Sequence, residues 1–140
     1  MRLGGPRDAA AYSHLPDLLA LWKHVQPRVR SDQTICESYA NGQTYGMSGE
    51  IHTDAGSEVG HQTVVYYANA HWQANWHGET FFYNRERNDV LRAVLPRPGR
   101  LVIFESDIPH AGRDPSRACP ILRVTITFKL QRTPGLAVLR

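Results

Sequence analysis

The stretch His52-Thr53-Asp54 sets an imidazole and a carboxylate two positions apart. On an extended backbone both side chains then point to the same face and can share one metal ion. The pair alone is a weak signal in a chain with seven histidines, because a solvated loop has the same spacing. Its surroundings strengthen it: SGEI precedes, and the glycine-bearing AGSEVG follows, as suits a strand end that opens into a mouth. A third ligand has to come from a distant segment. His110 is the candidate, since it follows the strand-like run RLVIF and the tight connection ESDIP. Two histidines and one carboxylate would occupy one side of a metal and leave adjacent positions open, as at non-haem Fe(II) sites. Zinc also accepts such ligands, so the set by itself leaves the reaction open.

Thirteen residues later, Arg123 begins a run of apolar and threonine residues that contains no acid. A guanidinium buried there is costly unless a carboxylate answers it. Either a distant Asp or Glu or a dicarboxylate ligand would do so, through the planar fork that makes Arg the preferred carboxylate clamp.

These side chains need a scaffold, and the hydrophobic pattern supplies one. Leu15, Leu18, Leu19, Trp22 and Val25 recur at helical spacing over about 13–26, with Ser13 as a cap, Pro16 near the first turn and Pro27 as the stop. Beyond it come short β-branched and aromatic runs divided by turn residues: 34–39, 48–52, 62–68, 80–83, 90–95, 100–104 and 121–130, with a short strand near His110. Eight strands behind one helix predict a sandwich or barrel rather than a parallel sheet. In the last run Leu122, Val124, Ile126, Phe128 and Leu130 form one face, and Arg123, Thr125, Thr127 and Lys129 the other. That division suits a sheet covered by a helix on one side and lining a cavity on the other.

The length of 140 residues fits one domain, and 41% hydrophobic with 21% charged residues is a globular composition. No apolar run approaches a membrane span, and the start MRLGGPRDAAAY lacks the apolar stretch of a signal peptide, so a cytoplasmic protein is expected. The net charge of +3 comes from scattered arginines, without the basic stripe of a nucleic-acid binder. Cys36 and Cys119 are expected to be core or surface thiols rather than a disulfide.

Taken in order, Tyr39 with NGQTYG, His52-Thr53-Asp54, VVYYANAHW, GET, PGRLVIFESDIPH and RVTITF resemble the Fe(II)- and 2-oxoglutarate-dependent oxygenases, within them the prolyl-4-hydroxylase-like group. The resemblance runs from about 34 to 130. It implies a mainly β fold, a double-stranded β-helix (jelly roll, cupin-like) with one N-terminal covering helix, in a single domain spanning 1–140. It implies iron binding by His52, Asp54 and His110, which are then the catalytic residues. Binding of the 2-oxoglutarate carboxylate falls to Arg123, with Tyr67 adding a phenol and Tyr39 facing the cosubstrate. Trp72 and Gly78-Glu79-Thr80 match structural positions, although His77-Gly78 stands where the family usually has two glycines. The longer connection from Tyr39 to His52 leaves the register of Tyr45 open.

The implied chemistry is oxidative decarboxylation of 2-oxoglutarate to succinate and CO2 by O2, coupled to hydroxylation of an unactivated C–H bond, with ascorbate as a reductant. The carboxylate of Asp54 favours hydroxylation over halogenation. The expected substrate is a small metabolite, an amino acid or a peptidyl, including prolyl, group. Alternatives are a nucleic-acid dealkylase of the same superfamily, where a second Arg would stand at Lys129, and a jelly roll that binds metal without turnover. The mouth is expected from loops 42–50, 55–61 and 70–77, the last with Trp72 and Trp76, while His61, His71 and His77 are expected to be surface residues. One short helix covers a sheet only partly, which leaves two alternatives open: a monomer with a few exposed apolar residues, or a homodimer that buries the remaining apolar surface and the tail GLAVLR.

Overall fold

The alternation read in the last run is the axis of the structure. In a computed structural model, which describes residues 2–4, 16–55 and 59–133, it is strand β8 (Arg123–Arg132), at the centre of a five-stranded sheet. The other strands are β1 (Arg2–Gly4), β2 (Gln33–Gln43), β3 (Gln62–Tyr67) and β6 (Leu101–Glu105), in the order β1-β2-β8-β3-β6. A second sheet has the order β5-β4-β7, from β4 (Thr80–Tyr83), β5 (Val90–Val94) and β7 (His110–Gly112). Every pairing is antiparallel. The chain is mainly β with one helix, α1 (Pro16–Val25), among the described residues.

Helix α1 begins at Pro16, whose fixed φ and missing N–H suit a first turn, and passes into a 3-10 turn, Gln26–Arg28, around Pro27. Its apolar stripe meets the outer face of the large sheet, where Trp22 and Val25 pack with Ile35, Val64, Phe128 and Leu130. The rings of Trp22 and Phe128 lie 5.5 Å apart. Ser13, Leu15 and the tail GLAVLR lie outside the described residues. A second cluster, Val65, Tyr67, Phe82 and Phe104, fills the space between the sheets. Cys36 and Cys119 are free thiols.

Two expectations need correction. Residues 48–52 do not form a strand. Gly49 N–H bonds the Gly112 carbonyl and His52 pairs with His110, so three steps on one side face two on the other and no ladder can propagate. Leu122 lies before β8, half-exposed against Gly42, and takes no part in the core.

One irregularity matters for the site. The pairing of β2 with β8 jumps between Ile35 and Glu37, making Cys36 an extra residue. Ile35 lies opposite Leu130 on the helix side, yet Glu37 lies opposite Lys129 and Tyr39 opposite Thr127, on the inner side. In a regular strand Ile35, Glu37 and Tyr39 would share one face. The bulge therefore gives the core its isoleucine and the cavity its glutamate and tyrosine.

Candidate metal and cosubstrate site

His52 and His110 meet because their backbones form an isolated two-residue bridge. His52 N–H donates to the His110 carbonyl at 3.0 Å, and His110 N–H returns the bond at 2.9 Å. The two rings then stand 4.4 Å apart. Asp54 follows where the chain turns inward, its N–H held by the Ser106 carbonyl at 2.9 Å. One ligand atom from each of His52, Asp54 and His110 lies within 4.8 Å of the other two. His110 Nε2 is 3.3 Å from Asp54 Oδ2, and His52 Nε2 is 3.7 Å from Asp54 Oδ1.

The hydrogen bonds around this cluster orient its rings. His52 Nδ1 lies 2.9 Å from the Glu50 carbonyl and His110 Nδ1 2.9 Å from the Ile108 carbonyl. A carbonyl only accepts, so each Nδ1 carries a hydrogen and each ring turns its Nε2 toward Asp54. Two Nε2 atoms and a carboxylate thus converge, a donor set that suits a divalent metal cation. His110 is buried, with the Phe104 ring 4.7 Å away holding its orientation, whereas the His52 side chain is half-exposed at the mouth.

Asp54 has its side chain only 2% exposed. Thr63 Oγ1 donates to its Oδ2 at 2.8 Å and accepts in turn from Ser106 Oγ at 2.9 Å. Its Oδ1 accepts no well-aligned hydrogen bond, although Lys129 Nζ approaches to 3.1 Å. Burial would raise the Asp54 pKa. The hydrogen bond and charge of His110, the charge of Lys129 and the Thr63 hydroxyl outweigh it and hold the carboxyl well below the usual range. Thr63, Ser106 and Lys129 were not singled out as site residues from sequence. The signal for Lys129 lay in its even spacing from Arg123 on the inner face; a lone Thr and Ser carry no such signal.

A cavity of about 320 Å³ runs from this cluster between the two sheets. His52, Asp54, Thr63 and His110 line one part, and Tyr39, Gln43, Thr80, Gly112, Arg123, Thr125 and Thr127 are further walls. Arg123 is 2% exposed. Its Nε donates to the Gly78 carbonyl at 2.7 Å, one Nη to Gln43 Oε1 at 2.6 Å and the other to Thr80 Oγ1 at 3.1 Å. No carboxylate among the described residues lies within ion-pair distance of it. Burial pushes its pKa down, although the more distant Glu79 charge opposes this, and a guanidinium stays cationic, so this part of the cavity holds a fixed positive charge with no carboxylate in ion-pair contact. Gly78, at φ +80°, leaves room for Arg123 and Trp72, both of which a Cβ there would crowd at 3.1 Å.

Tyr67 is buried behind this wall and does not line the cavity. Its ring lies 5.4 Å from the Arg123 guanidinium and its hydroxyl 2.6 Å from Thr80 Oγ1. Burial raises the phenol's pKa, so the hydroxyl stays protonated and steadies Thr80, which in turn accepts from Arg123. Tyr39 does line the cavity, beneath the Lys129 ammonium at 5.5 Å. Of the expected mouth loops, 42–50 contributes Gly42, Gln43, Met47 and Gly49, none of 70–77 lines the cavity, and 55–61 lies partly outside the described residues. Trp72 instead packs edge-on with Trp76 at 5.5 Å and donates to the His77 carbonyl, bracing the segment behind Arg123. His71 stacks edge-on against Trp76, and Tyr45 is exposed under Arg117. No described helix is long and apolar enough to cross a membrane.

Comparison with known proteins gives the arrangement its context. No curated protein matches the sequence. Among solved structures, the chain resembles prolyl 4-hydroxylase from Phytophthora capsici, with TM-score 0.56 and 22% identity over 94% of this chain and 47% of that one. It also resembles a Pseudomonas putida prolyl-4-hydroxylase, with TM-score 0.56 and 22% identity over 90% of this chain and 65% of that one. A third is a prolyl hydroxylase from Trichoplax adhaerens in complex with a hypoxia inducible factor oxygen degradation domain peptide fragment, with TM-score 0.57 and 22% identity over 94% and 61%. The chain thus spans about half to two thirds of the length of these structures, and the likeness establishes the jelly-roll fold they share. The family model described as the 2OG-Fe(II) oxygenase superfamily matches residues 36–130, which run from the β2 bulge through the whole cavity wall to the end of the inner face of β8. The chain therefore belongs to the 2OG-Fe(II) oxygenase superfamily.

Proposed function

We propose that this chain is an Fe(II)- and 2-oxoglutarate-dependent dioxygenase that hydroxylates a C–H bond. His52, Asp54 and His110 would hold the iron, and Arg123 the far carboxylate of 2-oxoglutarate. The observation that carries this reading is the pairing, in one cavity, of converging metal-ligand atoms with a buried guanidinium that has no carboxylate in ion-pair contact among the described residues. Bound Fe(II), with 2-oxoglutarate and O2, supplies the oxidising chemistry, and succinate and CO2 are the coproducts. The protein's work is positioning and exclusion of water.

Each residue has a part in that work. The Glu50 and Ile108 carbonyls hold both imidazoles in the tautomer that presents Nε2. Thr63 orients the Asp54 carboxylate, and Ser106 orients Thr63. Gly78, Gln43 and Thr80 hold the Arg123 fork before any ligand arrives, so the clamp loses little entropy on binding. Thr80, Thr125 and Thr127 offer hydroxyls along the wall, and Gly112 leaves space beside Arg123 and Gln43. The half-exposed His52 marks the side from which the substrate reaches the metal.

The substrate is a small metabolite, an amino acid or a peptidyl group, a prolyl residue included. The fold likeness to a hydroxylase solved in complex with a peptide fragment supports the peptidyl choice. Succinate formation from 2-oxoglutarate, with Fe(II) and ascorbate, tests the activity with and without candidate prolyl peptides. The wild-type chain should form succinate only with iron present, and Asp54→Ala should form none. Iron-independent turnover, or full activity in Asp54→Ala, would refute the assignment.

A further inference from the structure

The residue that the proposed chemistry leaves without a task is Lys129. Its side chain is 22% exposed and enters the inner face of β8, where Nζ comes to 3.1 Å from Asp54 Oδ1. That is the buried carboxylate oxygen with no aligned hydrogen bond. A second carboxylate flanks the same ammonium, Glu37 Oε2 at 3.5 Å. Glu37 stands directly opposite Lys129 in the β2–β8 register only because of the Cys36 bulge. The Tyr39 ring completes the surroundings, 5.5 Å from Nζ. One cation therefore sits between two carboxylates, of which one belongs to the converging ligand cluster and the other does not.

We infer that Lys129 is the resident counter-cation of Asp54 in the metal-free chain and that a divalent metal ion displaces it, leaving Glu37 to hold the ammonium. The inference rests on the reading of His52, Asp54 and His110 as metal ligands. A carboxylate with its side chain 2% exposed needs a cation beside it, and Lys129 supplies one while no metal is bound. A metal that reaches both Nε2 atoms also needs an Asp54 oxygen, where it meets a like charge. The move toward Glu37 is short and leaves neither carboxylate without a cation. Lys129 would thus act as a positioning residue that keeps the site folded before metal binds and lowers its affinity for metal.

Two quantities should then move in opposite directions. In Lys129→Met the metal-free chain should melt several degrees lower, since a buried carboxylate loses its cation. The same variant should bind Co(II) about ten-fold or more tightly, because one nearby charge shifts an ionic equilibrium by that order. A side chain that merely supported the fold would weaken both. The experiment is calorimetric titration of the metal-free full chain with Co(II), without 2-oxoglutarate, beside thermal melts with and without the metal. Lys129→Gln provides a second neutral variant, and Lys129→Arg, which keeps the charge, should stay within about three-fold of wild-type affinity. Tighter Co(II) binding in both neutral variants, with a melting deficit that Co(II) removes, is the expected result. Equal or weaker Co(II) binding in the folded neutral variants would overturn the inference and leave the metal site standing. Failure of the wild-type chain to take up Co(II), or uptake unchanged in Asp54→Ala, would overturn the metal site and this inference together.

Discussion

Replacing Arg123 by Met separates what this residue does for the fold from what it does for a ligand. The substitution removes three charge-assisted hydrogen bonds, to the Gly78 carbonyl, Gln43 Oε1 and Thr80 Oγ1. Each is worth roughly 1.5–3 kcal/mol. Against that stands the desolvation of a guanidinium that is 2% exposed with no carboxylate in ion-pair contact, a cost of several kcal/mol. Met replaces much of the aliphatic stem, and Gln43 keeps its bonds to the Met47 and Gly112 carbonyls. The two sides nearly cancel, so the stability of the unliganded chain should change by no more than about 2 kcal/mol in either direction. For 2-oxoglutarate there is no such cancellation. Losing one partner of a desolvated charge pair costs about 2–5 kcal/mol, or roughly 30- to 5,000-fold in affinity. Titration of 2-oxoglutarate into the Mn(II)-loaded chain, beside urea unfolding of both proteins, reads the two quantities separately. Affinity within three-fold of wild type in a folded Arg123→Met chain would refute the clamp.

Three further outcomes follow from the geometry. Tyr67→Phe removes the hydroxyl that steadies Thr80 but leaves the guanidinium in place, so 2-oxoglutarate should bind less than about ten-fold more weakly, as the same titration would show. His77→Gly should raise the melting temperature by about 3 °C, because His77 sits at φ 57° and ψ −137°, a glycine region, and relief of about 1–2 kcal/mol exceeds the entropy that glycine adds to the unfolded chain. Asp114 fastens the loop before the site: Ser48 Oγ and the Gly46 N–H donate to its carboxylate and hold its pKa below the usual range. A depressed folded-state pKa gives stability that is full above the unfolded value near 4 and is lost as the pH falls toward the folded one. The melting-temperature gap between wild type and Asp114→Asn should therefore be widest near neutrality and close below about pH 4.

Much of the site was legible because its signals are local. The close spacing of His52 and Asp54 marks them as a pair, although a turn rather than a strand brings them together, and period-two spacing divides β8 into a helix-side row and a cavity-side row. Arg123 stood out because a charge in such a row has few ways to be satisfied. What escaped the sequence depends on pairing between distant segments. The extra residue at Cys36 changes which side chains of β2 face inward, and no propensity marks it. The three-against-two mismatch between 49–52 and 110–112 dissolves an expected strand while preserving the one bridge that brings His52 to His110. The strand Arg2–Gly4 exists through its pairing with Glu37, Ser38 and Tyr39 rather than through its own composition. The Ser106–Thr63–Asp54 relay joins residues up to 52 positions apart and surfaces only once β3 and the turn after β6 are adjacent. The segment with Trp72 and Trp76, which reads as a mouth loop, lies behind the arginine because Gly78 lets that wall close tightly.

The central claim is that one cavity binds a metal at His52, Asp54 and His110 and a dicarboxylate at Arg123. A crystal structure of the full chain grown anaerobically with Mn(II) and 2-oxoglutarate tests it most directly, since anomalous scattering locates the metal without reference to activity. The account predicts a single strong peak bonded to Nε2 of His52, Nε2 of His110 and a carboxylate oxygen of Asp54. It also predicts 2-oxoglutarate in the same cavity, with one carboxylate forked on the Arg123 guanidinium. A metal bound elsewhere, or 2-oxoglutarate lying away from Arg123, would contradict it.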